Sequence, residues 1–333
     1  MINAGIVGIG RWGQTLVQAV AGKSELIRFT RGVTRTPSKV KEFARAHDLP
    51  LSDDYAALLA DPQIDAVVLA TPHSQHLDQI LQAAAAGKHI FVEKPLTLDA
   101  VSALRAYRAA REAGVVLALG HNRRCLPAYI ELRQIIADGL LGKLLHCEGN
   151  FSGPSAYRQS RDGWRADTSE SPAGGMTGKG IHITDIMISI FGPAVSLTAH
   201  CARQVLDYGM DDTTTLMLRF ADGQTGSLTT LTATPDDWRV QVFGSAGWAE
   251  IRDESHLTIN LLDSGTRRLD FPKVDTAKEV LDRFAASLQT GATWIVTPRQ
   301  AIANTALLEA VVQSCAQHAR VSIELPDGVG EFE

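Results

Sequence analysis

The sequence predicts an α/β chain of two domains: a doubly wound parallel sheet, then an α+β domain built mainly on antiparallel strands. Three observations carry this. Short apolar runs alternate with helix-spaced apolar patterns through residues 1–121, the order that winds helices onto both faces of a parallel sheet. A glycine-rich turn, Gly8-Ile9-Gly10-Arg11-Trp12-Gly13, joins the first run to the first helical pattern. From about residue 195 the pattern becomes short strands joined by tight turns. A chain of 333 residues suits two domains at roughly 150 residues each. We divide it into 1–121 and 122–333.

The elements follow in order. Ala4–Ile9 reads as a buried strand, and Gly13–Val20 places Leu16, Val17 and Val20 on one helical face. A second strand precedes Val33, and Val40, Phe43, Ala44 and His47 share a helical spacing. Asp53 or Asp54 is positioned to cap a short helix containing Leu58 and Leu59. Ala66–Ala70 lacks alternation, as expected of a strand covered on both faces. Leu77, Ile80, Leu81 and Ala84 lie on a helix that Gly87 ends, and His89–Val92 is the next strand. Asp99 starts a helix closed by Gly114, and Val115–Leu119 is a further strand. Beyond the boundary, Tyr129, Leu132, Ile135 and Ile136 mark a helix over Pro127–Asp138. Thr214–Phe220 and Thr225–Ala233 flank Ala221-Asp222-Gly223 as a hairpin, and Leu257, Ile259 and Leu261 alternate before a turn at 263–265. A long helix spans Pro298 to His318.

Composition narrows the function classes. A hydrophobic fraction of 45% and a charged fraction of 21% are those of an ordinary globular protein. A net charge of -5 argues against nucleic acid or an anionic membrane as the partner. No apolar run approaches the roughly 18 residues that span a bilayer, and the N-terminus lacks a signal-peptide pattern. The 4 cysteines, Cys125, Cys147, Cys201 and Cys315, show no metal-ligand spacing, and a chain of this size needs no disulfide staples. The expectation is a reducing, cytoplasmic setting with no bound metal.

The glycine turn is the first functional signal. GxGxxG alone is weak; between a strand and a helix it has the context a dinucleotide site requires. The first glycine permits the turn, the second admits the pyrophosphate, and the third lets helix and strand pack closely. The helix N-terminus then offers N–H groups and a partial positive charge to the anion. Gly8, Gly10, Arg11, Trp12 and Gly13 are therefore candidate cofactor residues of a Rossmann domain. NAD-selective sites place an acid after the second strand to hold the ribose 2′-OH. Here the chain reads Thr34-Arg35-Thr36-Pro37-Ser38, with no acid. Arg35 with the hydroxyls of Thr34 and Thr36 suits a 2′-phosphate, so NADP(H) is preferred, with NAD(H) the second option.

Glu93-Lys94-Pro95 extends the pattern. With the glycine turn, Ala70-Thr71-Pro72-His73-Ser74-Gln75-His76, Asn122-Arg123-Arg124 and the stretch from Gly174-Gly175 to His182, the chain resembles the glucose–fructose oxidoreductase / inositol dehydrogenase / MocA family over nearly its whole length. The resemblance implies a large open sheet in the second domain, through which family members form dimers or tetramers. It implies that Thr71, Pro72 and His76 line the nicotinamide ribose side of the cofactor, with His73 between them a further cofactor candidate, that Glu93 lies near the nicotinamide, and that Lys94 is the catalytic lysine. Asn122 and Arg123 match residues at the floor of the cleft, and His182 matches the substrate-binding histidine. The chemistry agrees for Lys94: oxidising a secondary alcohol needs a base for the hydroxyl proton, and a partly desolvated lysine close to an oxidised nicotinamide should have a lowered pKa. Pro95 biases Lys94 toward an extended backbone. Asp185, three residues after His182, is expected to face it and fix its tautomer.

One departure stands out. Many members of that family carry an aspartate four residues before the histidine; here Gly178 occupies that position, followed by Lys179. Lys179 shares its stretch with Arg158, Arg161 and Arg165, and Arg123 and Arg124 are further candidates to line the cleft. Some of these cations are expected to meet an acidic group on the substrate, with Arg123, Arg165, Lys179 and His182 as the substrate residues. The alternative is local pairing with Asp162, Asp167 and Glu170. The expected activity is hydride transfer between the nicotinamide and a hydroxyl or keto carbon of a sugar, polyol, sugar acid or cyclic diol, Lys94 relaying the proton. Two other readings compete: glycoside hydrolysis through transient oxidation, and a non-catalytic dinucleotide sensor.

Overall fold

Apolar runs without polar alternation become the strands of a parallel sheet buried on both faces. The computed structural model describes every residue except 159, 160, 162 and 333. Among the described residues, six strands form this sheet: β1 (Ile2–Val7), β2 (Ile27–Val33), β3 (Leu51–Ser52), β4 (Ala66–Leu69), β5 (His89–Val92) and β6 (Leu117–Leu119). Their order is β3-β2-β1-β4-β5-β6, and every pairing is parallel. The order reverses between β1 and β4, and ligands of such sheets bind outside the carboxyl ends of the strands at that reversal. The helices are α1 (Arg11–Val20), α2 (Lys41–Ala46), α3 (Tyr55–Ala60), α4 (His76–Ala85) and α5 (Ala100–Glu112). Asp54 caps α3 by accepting from the Ala57 N–H at 2.8 Å, and Asp99 caps α5 by accepting from Ser102 at 2.7 Å.

The second unit is built on α6 (Pro127–Ala137), β7 (Leu144–Ser152), α7 (Ile181–Phe191), β8 (Ala194–Ala202), β9 (Thr213–Phe220), β10 (Thr225–Leu231), β11 (Asp237–Gly244), β12 (Gly247–Arg252), β13 (His256–Leu261) and β14 (Gly265–Asp270). Then come α8 (Thr276–Thr290), α9 (Pro298–Gln317) and β15 (Val321–Ser322). Among the described residues, nine strands form the second sheet, in the order β14-β13-β12-β11-β7-β10-β9-β8-β15. Its neighbours are antiparallel except β7 and β10. Helix α7 is apolar nearly all round and lies in the core of this unit. Gly149 of β7 lets it approach: a Cβ there would fall 2.2 Å from Ile183.

Two features were not foreseen. The first unit comprises Met1–Asn122 together with Asp275–Pro298 and Phe332, so the chain returns to it after the long stretch of second-unit strands. The reason is packing: Phe284 of α8 lies 5.6 Å from Phe91, and the Trp294 indole donates to the Leu119 carbonyl at 3.1 Å. The second correction concerns cysteine. Cys201 of β8 and Cys315 of α9 form a disulfide, where the sequence reading expected none. They are 114 residues apart, and only the packing of α9 beside β8 brings them to a Cα separation of 5.6 Å. Among the described residues, no helix is long and apolar enough to cross a membrane.

Candidate functional site

The three glycines of the turn are each required for a different reason. Gly8 has φ +91, and a Cβ there would meet the Ala70 carbonyl oxygen at 2.6 Å. A Cβ on Gly13 would fall 2.0 Å from the Gly8 carbonyl oxygen. Gly10 is different: nothing of the protein lies within 4 Å of its Cβ position, so that side of the turn is open. Gly10 caps α1 without a side-chain hydrogen bond, and the first turn of α1 has no acidic residue. The Trp12 indole N–H is buried and has no acceptor among the described residues. Open space at the middle glycine, an uncapped helix start and an orphaned donor fit a pyrophosphate. At the end of β2, the Arg35 guanidinium is exposed and has no ion-pair partner among the described residues, and Thr34 and Thr36 flank it.

Beside Gly8 in the sheet come the loops after β4 and β5. Thr71 is buried and donates to Gln79 at 2.6 Å; Pro72 precedes a single turn over His73–Gln75. His73 is buried, edge-on to His76 with centroids 5.8 Å apart. His76 is fully buried, and its two ring nitrogens face the Pro95 carbonyl at 2.9 Å and the Thr71 carbonyl at 3.2 Å. It is therefore a brace between the loop after β4 and the loop after β5. Glu93 is buried, with its carboxylate against Gly120, where a Cβ would lie 3.2 Å from Oε1. Lys94 follows, half-buried, on a cis peptide bond to Pro95. Asn122, also buried, donates its amide to the Thr276 hydroxyl at 3.0 Å.

The second unit gathers a different set. Gly174 and Gly175 begin the stretch because neither can carry a side chain: a Cβ on Gly174 would meet the Asp211 carbonyl oxygen at 2.0 Å, and one on Gly175 would meet Thr232 at 2.6 Å. A single π-helical turn over Met176–Gly180 then leads into α7, which carries His182. Such turns recur at functional positions. The His182 ring is buried, with its centroid 5.9 Å from that of Phe151 on β7. Two cations share that phenyl ring: the Arg123 guanidinium at 5.1 Å and the Lys179 ammonium at 5.3 Å. Glu254 accepts from Arg123 at 2.8 Å. Trp238 stands opposite Phe151 in the β7–β11 ladder, and its buried indole N–H has no acceptor among the described residues. Burial pulls the Lys179 ammonium below its ordinary pKa; Asp236 opposes this, while Arg123 and Arg158 add to it.

Comparison with known proteins follows from these two sites. The description "Oxidoreductase family, NAD-binding Rossmann fold" fits residues 2–121, and "GFO/IDH/MocA C-terminal domain" fits residues 129–250. The two together span more than half of the chain. The chain belongs to the GFO/IDH/MocA oxidoreductase family. Among its relatives, trans-1,2-dihydrobenzene-1,2-diol dehydrogenase of Sus scrofa is 28% identical over 239 residues, 72% of this chain and 70% of that protein. scyllo-Inositol 2-dehydrogenase (NAD(+)) of Bacillus subtilis (strain 168) is 28% identical across 91% of each chain. Levoglucosan dehydrogenase in complex with NADH and L-sorbose shares the fold at a TM-score of 0.89, over 98% of this chain and 99% of that one, with 21% identity.

For this GFO/IDH/MocA oxidoreductase, the structure sorts the cations that the sequence grouped together. Arg124 does not line a cleft: it is buried, paired with both oxygens of Asp185 at 2.7 and 2.8 Å and with Gln300 at 2.8 Å. Asp185, the carboxylate expected to orient His182, also accepts from this arginine, for which the three-residue spacing held no signal. Arg161 pairs with Asp207 at 2.7 Å, and Arg165 stacks on the neighbouring Trp164 at 4.2 Å. Asp167 receives the Ser169 hydroxyl and N–H, while Asp162 lies outside the described residues. Of the proposed substrate cations, Arg123 and Lys179 meet on Phe151. Phe151, Asp236, Trp238 and Glu254 escaped the sequence reading. The first sits on a strand with no clean alternation, and the other three are distant in sequence. At Gly178, where many members of the family have aspartate, a Cβ would meet nothing within 4 Å. Steric exclusion is not why the carboxylate is missing.

Proposed function

We propose that this oxidoreductase interconverts a secondary hydroxyl and a keto group on a sugar, polyol, sugar acid or cyclic diol, with NADP(H) as the preferred cofactor. One observation carries the reading: β1, β4 and β5 are adjacent, so the glycine turn, Thr71 and Lys94 stand side by side along the carboxyl edge of one sheet, at its topological reversal. The nicotinamide, when bound, supplies or accepts the hydride at C4. The pyrophosphate is held by the open turn at Gly10, Arg11 and Trp12 and by the start of α1, and the 2′-phosphate by Arg35 with Thr34 and Thr36. Thr71, Pro72, His73, Glu93 and Asn122 complete the cofactor side, and His76 fixes the two loops against each other.

Lys94 takes the hydroxyl proton in oxidation and returns it in reduction. The first of these steps needs the amine neutral and the second needs it charged, so one side chain serves both directions. His182 orients the reacting oxygen. The relatives named for a dihydrobenzene diol and for scyllo-inositol support a ring bearing adjacent hydroxyls as the substrate class. We further propose that copies of the chain associate through the sheet face bearing His146, Glu148, Asn150, Arg239 and Gln241, whose side chains are only half-buried in the isolated chain. A monomer in light scattering would remove that part.

The test is a fluorescence titration with NADPH and NADH, followed by a screen of sugars, polyols and cyclic diols at the nicotinamide absorbance band. Tighter NADPH binding, with turnover that falls by about 10²- to 10⁴-fold in Lys94→Ala, is the expected result. Binding without turnover on any hydroxyl or keto compound points instead to a sensor or, if glycosides are cleaved, to hydrolysis. No binding of either dinucleotide refutes the proposal.

A further inference from the structure

We infer that the substrate of this site carries a carboxylate, received by Lys179 and Arg123 above the Phe151 ring. The inference rests on the oxidoreductase reading and names its substrate class more narrowly. Two cations on one phenyl ring are a costly arrangement unless something negative joins them, because the Arg123 charge acts against that of Lys179. The protein supplies only partial compensation. Glu254 engages Arg123, and Asp236 lies near Lys179, the tips of both side chains crowding the space that a Cβ on Gly153 would fill. With Arg158 also acting on it, the Lys179 ammonium has two arginines and one carboxylate around it among the described residues. That local surplus of positive charge around Lys179 suits a carboxylate.

Lys179 is the member built to receive it. Among the described residues its ammonium has no hydrogen bond and no ion pair, though it is half-buried. Burial and the neighbouring arginines already weaken its hold on the proton, and a bound anion would reverse that. The ring beneath supplies a flat apolar wall next to His182, so a ring-shaped or planar substrate can lie against Phe151 with its acid group toward the cations. Gly178 completes the argument. An aspartate would fit there and would cancel the surplus one residue from Lys179; its absence leaves the charge for the ligand.

The experiment is calorimetric titration of the full chain saturated with NADPH. Paired probes are D-glucose against D-glucuronate, and cyclohexane-1,2-diol against 3,4-dihydroxycyclohexane-1-carboxylate, with D-glucose 6-phosphate as a third arm. In at least one pair the carboxylate should bind roughly 10- to 100-fold more tightly, the range of one or two charge-assisted hydrogen bonds. Lys179→Met should remove most of that preference. Gly178→Asp, which adds no steric conflict, should reduce it as well and serves if the first variant fails to fold. Equal binding of neutral and acidic probes in both pairs overturns the inference, as does a preference unchanged in both variants. Tighter binding of the phosphate than of either carboxylate also overturns it. Because the readout is binding, a carboxylate preference without turnover would count against the oxidoreductase reading alone.

Discussion

Replacing Arg124 with methionine should destabilise the second unit by about 3–5 kcal/mol, the cost of breaking a buried ion pair by removing one member. The side chains of Arg124 and Asp185 are 5% and 1% exposed, so water cannot compensate for the loss. Asp185 would lose two hydrogen bonds of 2.7 and 2.8 Å at once, and Gln300 would lose one of 2.8 Å. Against the ~5–15 kcal/mol total typical of a domain, that is a large fraction. The consequence reaches the site, because Asp185 lies on α7, one turn from His182. The assay is urea unfolding followed by tryptophan fluorescence, with Trp12 and Trp294 replaced by phenylalanine in every variant so that Trp164, Trp238 and Trp248 of the second unit report. The double variant Arg124→Met, Asp185→Leu should recover most of the loss, since it removes both charges and keeps apolar volume. A single variant costing less than about 1 kcal/mol, or a double variant no more stable than the single, would refute the reasoning.

Three other outcomes follow from the same structure. Gly10→Ala should leave the melting temperature nearly unchanged while weakening both dinucleotides, because its Cβ meets no protein atom; Gly13→Ala, 2.0 Å from a carbonyl oxygen, should lower both stability and binding. Thermal melts and a cofactor titration on the two variants separate these effects. Arg35→Ala should raise the NADPH dissociation constant by about 10- to 100-fold and leave NADH unchanged, since the side chain has no ion-pair partner to orphan among the described residues; equal losses for both cofactors would rule out the 2′-phosphate role. Burial lowers the pKa of His89, with Asp65 opposing, and its Nδ1 accepts from the Val116 N–H at 3.1 Å. The folded chain thus binds this proton less readily than the unfolded one, so the stability it contributes is complete above about pH 6.5 and falls as the pH drops below that. Melts at pH 5 and pH 8 should differ less in His89→Gln than in the parent.

The first unit was legible because its signals are local. Strand β5 coincides with the expected His89–Val92, Asp54 and Asp99 are the caps, and Gly87 and Gly114 adopt the positive φ that ends their helices. Helix α8 could have been found: Asp275 caps it, Val280, Leu281 and Phe284 recur at helical spacing, and Gly291 ends it in the left-handed region. Its membership in the first unit could not, since a helical period says nothing about which sheet the helix covers. The parallel pairing of β7 with β10 was hidden for the same reason: a strand's alternation does not name its neighbour. In the second-unit site, His182 and Lys179 were visible as residues, but Phe151, which assembles them, sits where partly buried neighbours mask any period. Arg124 shows the reverse: an arginine in a suggestive position whose partner, 61 residues away, only the fold supplies.

The return of residues 275–298 also bears on how the chain is made. A ribosome delivers all six strands of the first sheet long before Phe284 and Trp294 exist. Until they arrive, Phe91 lacks the two aromatic rings that pack on it, and the Leu119 carbonyl lacks its indole donor. The dinucleotide-binding half is thus finished only after most of the other half has been synthesised. A cut at residue 121 would not release a complete module, and a chimera that exchanges this half for that of a relative must carry α8 and the Trp294 segment with it.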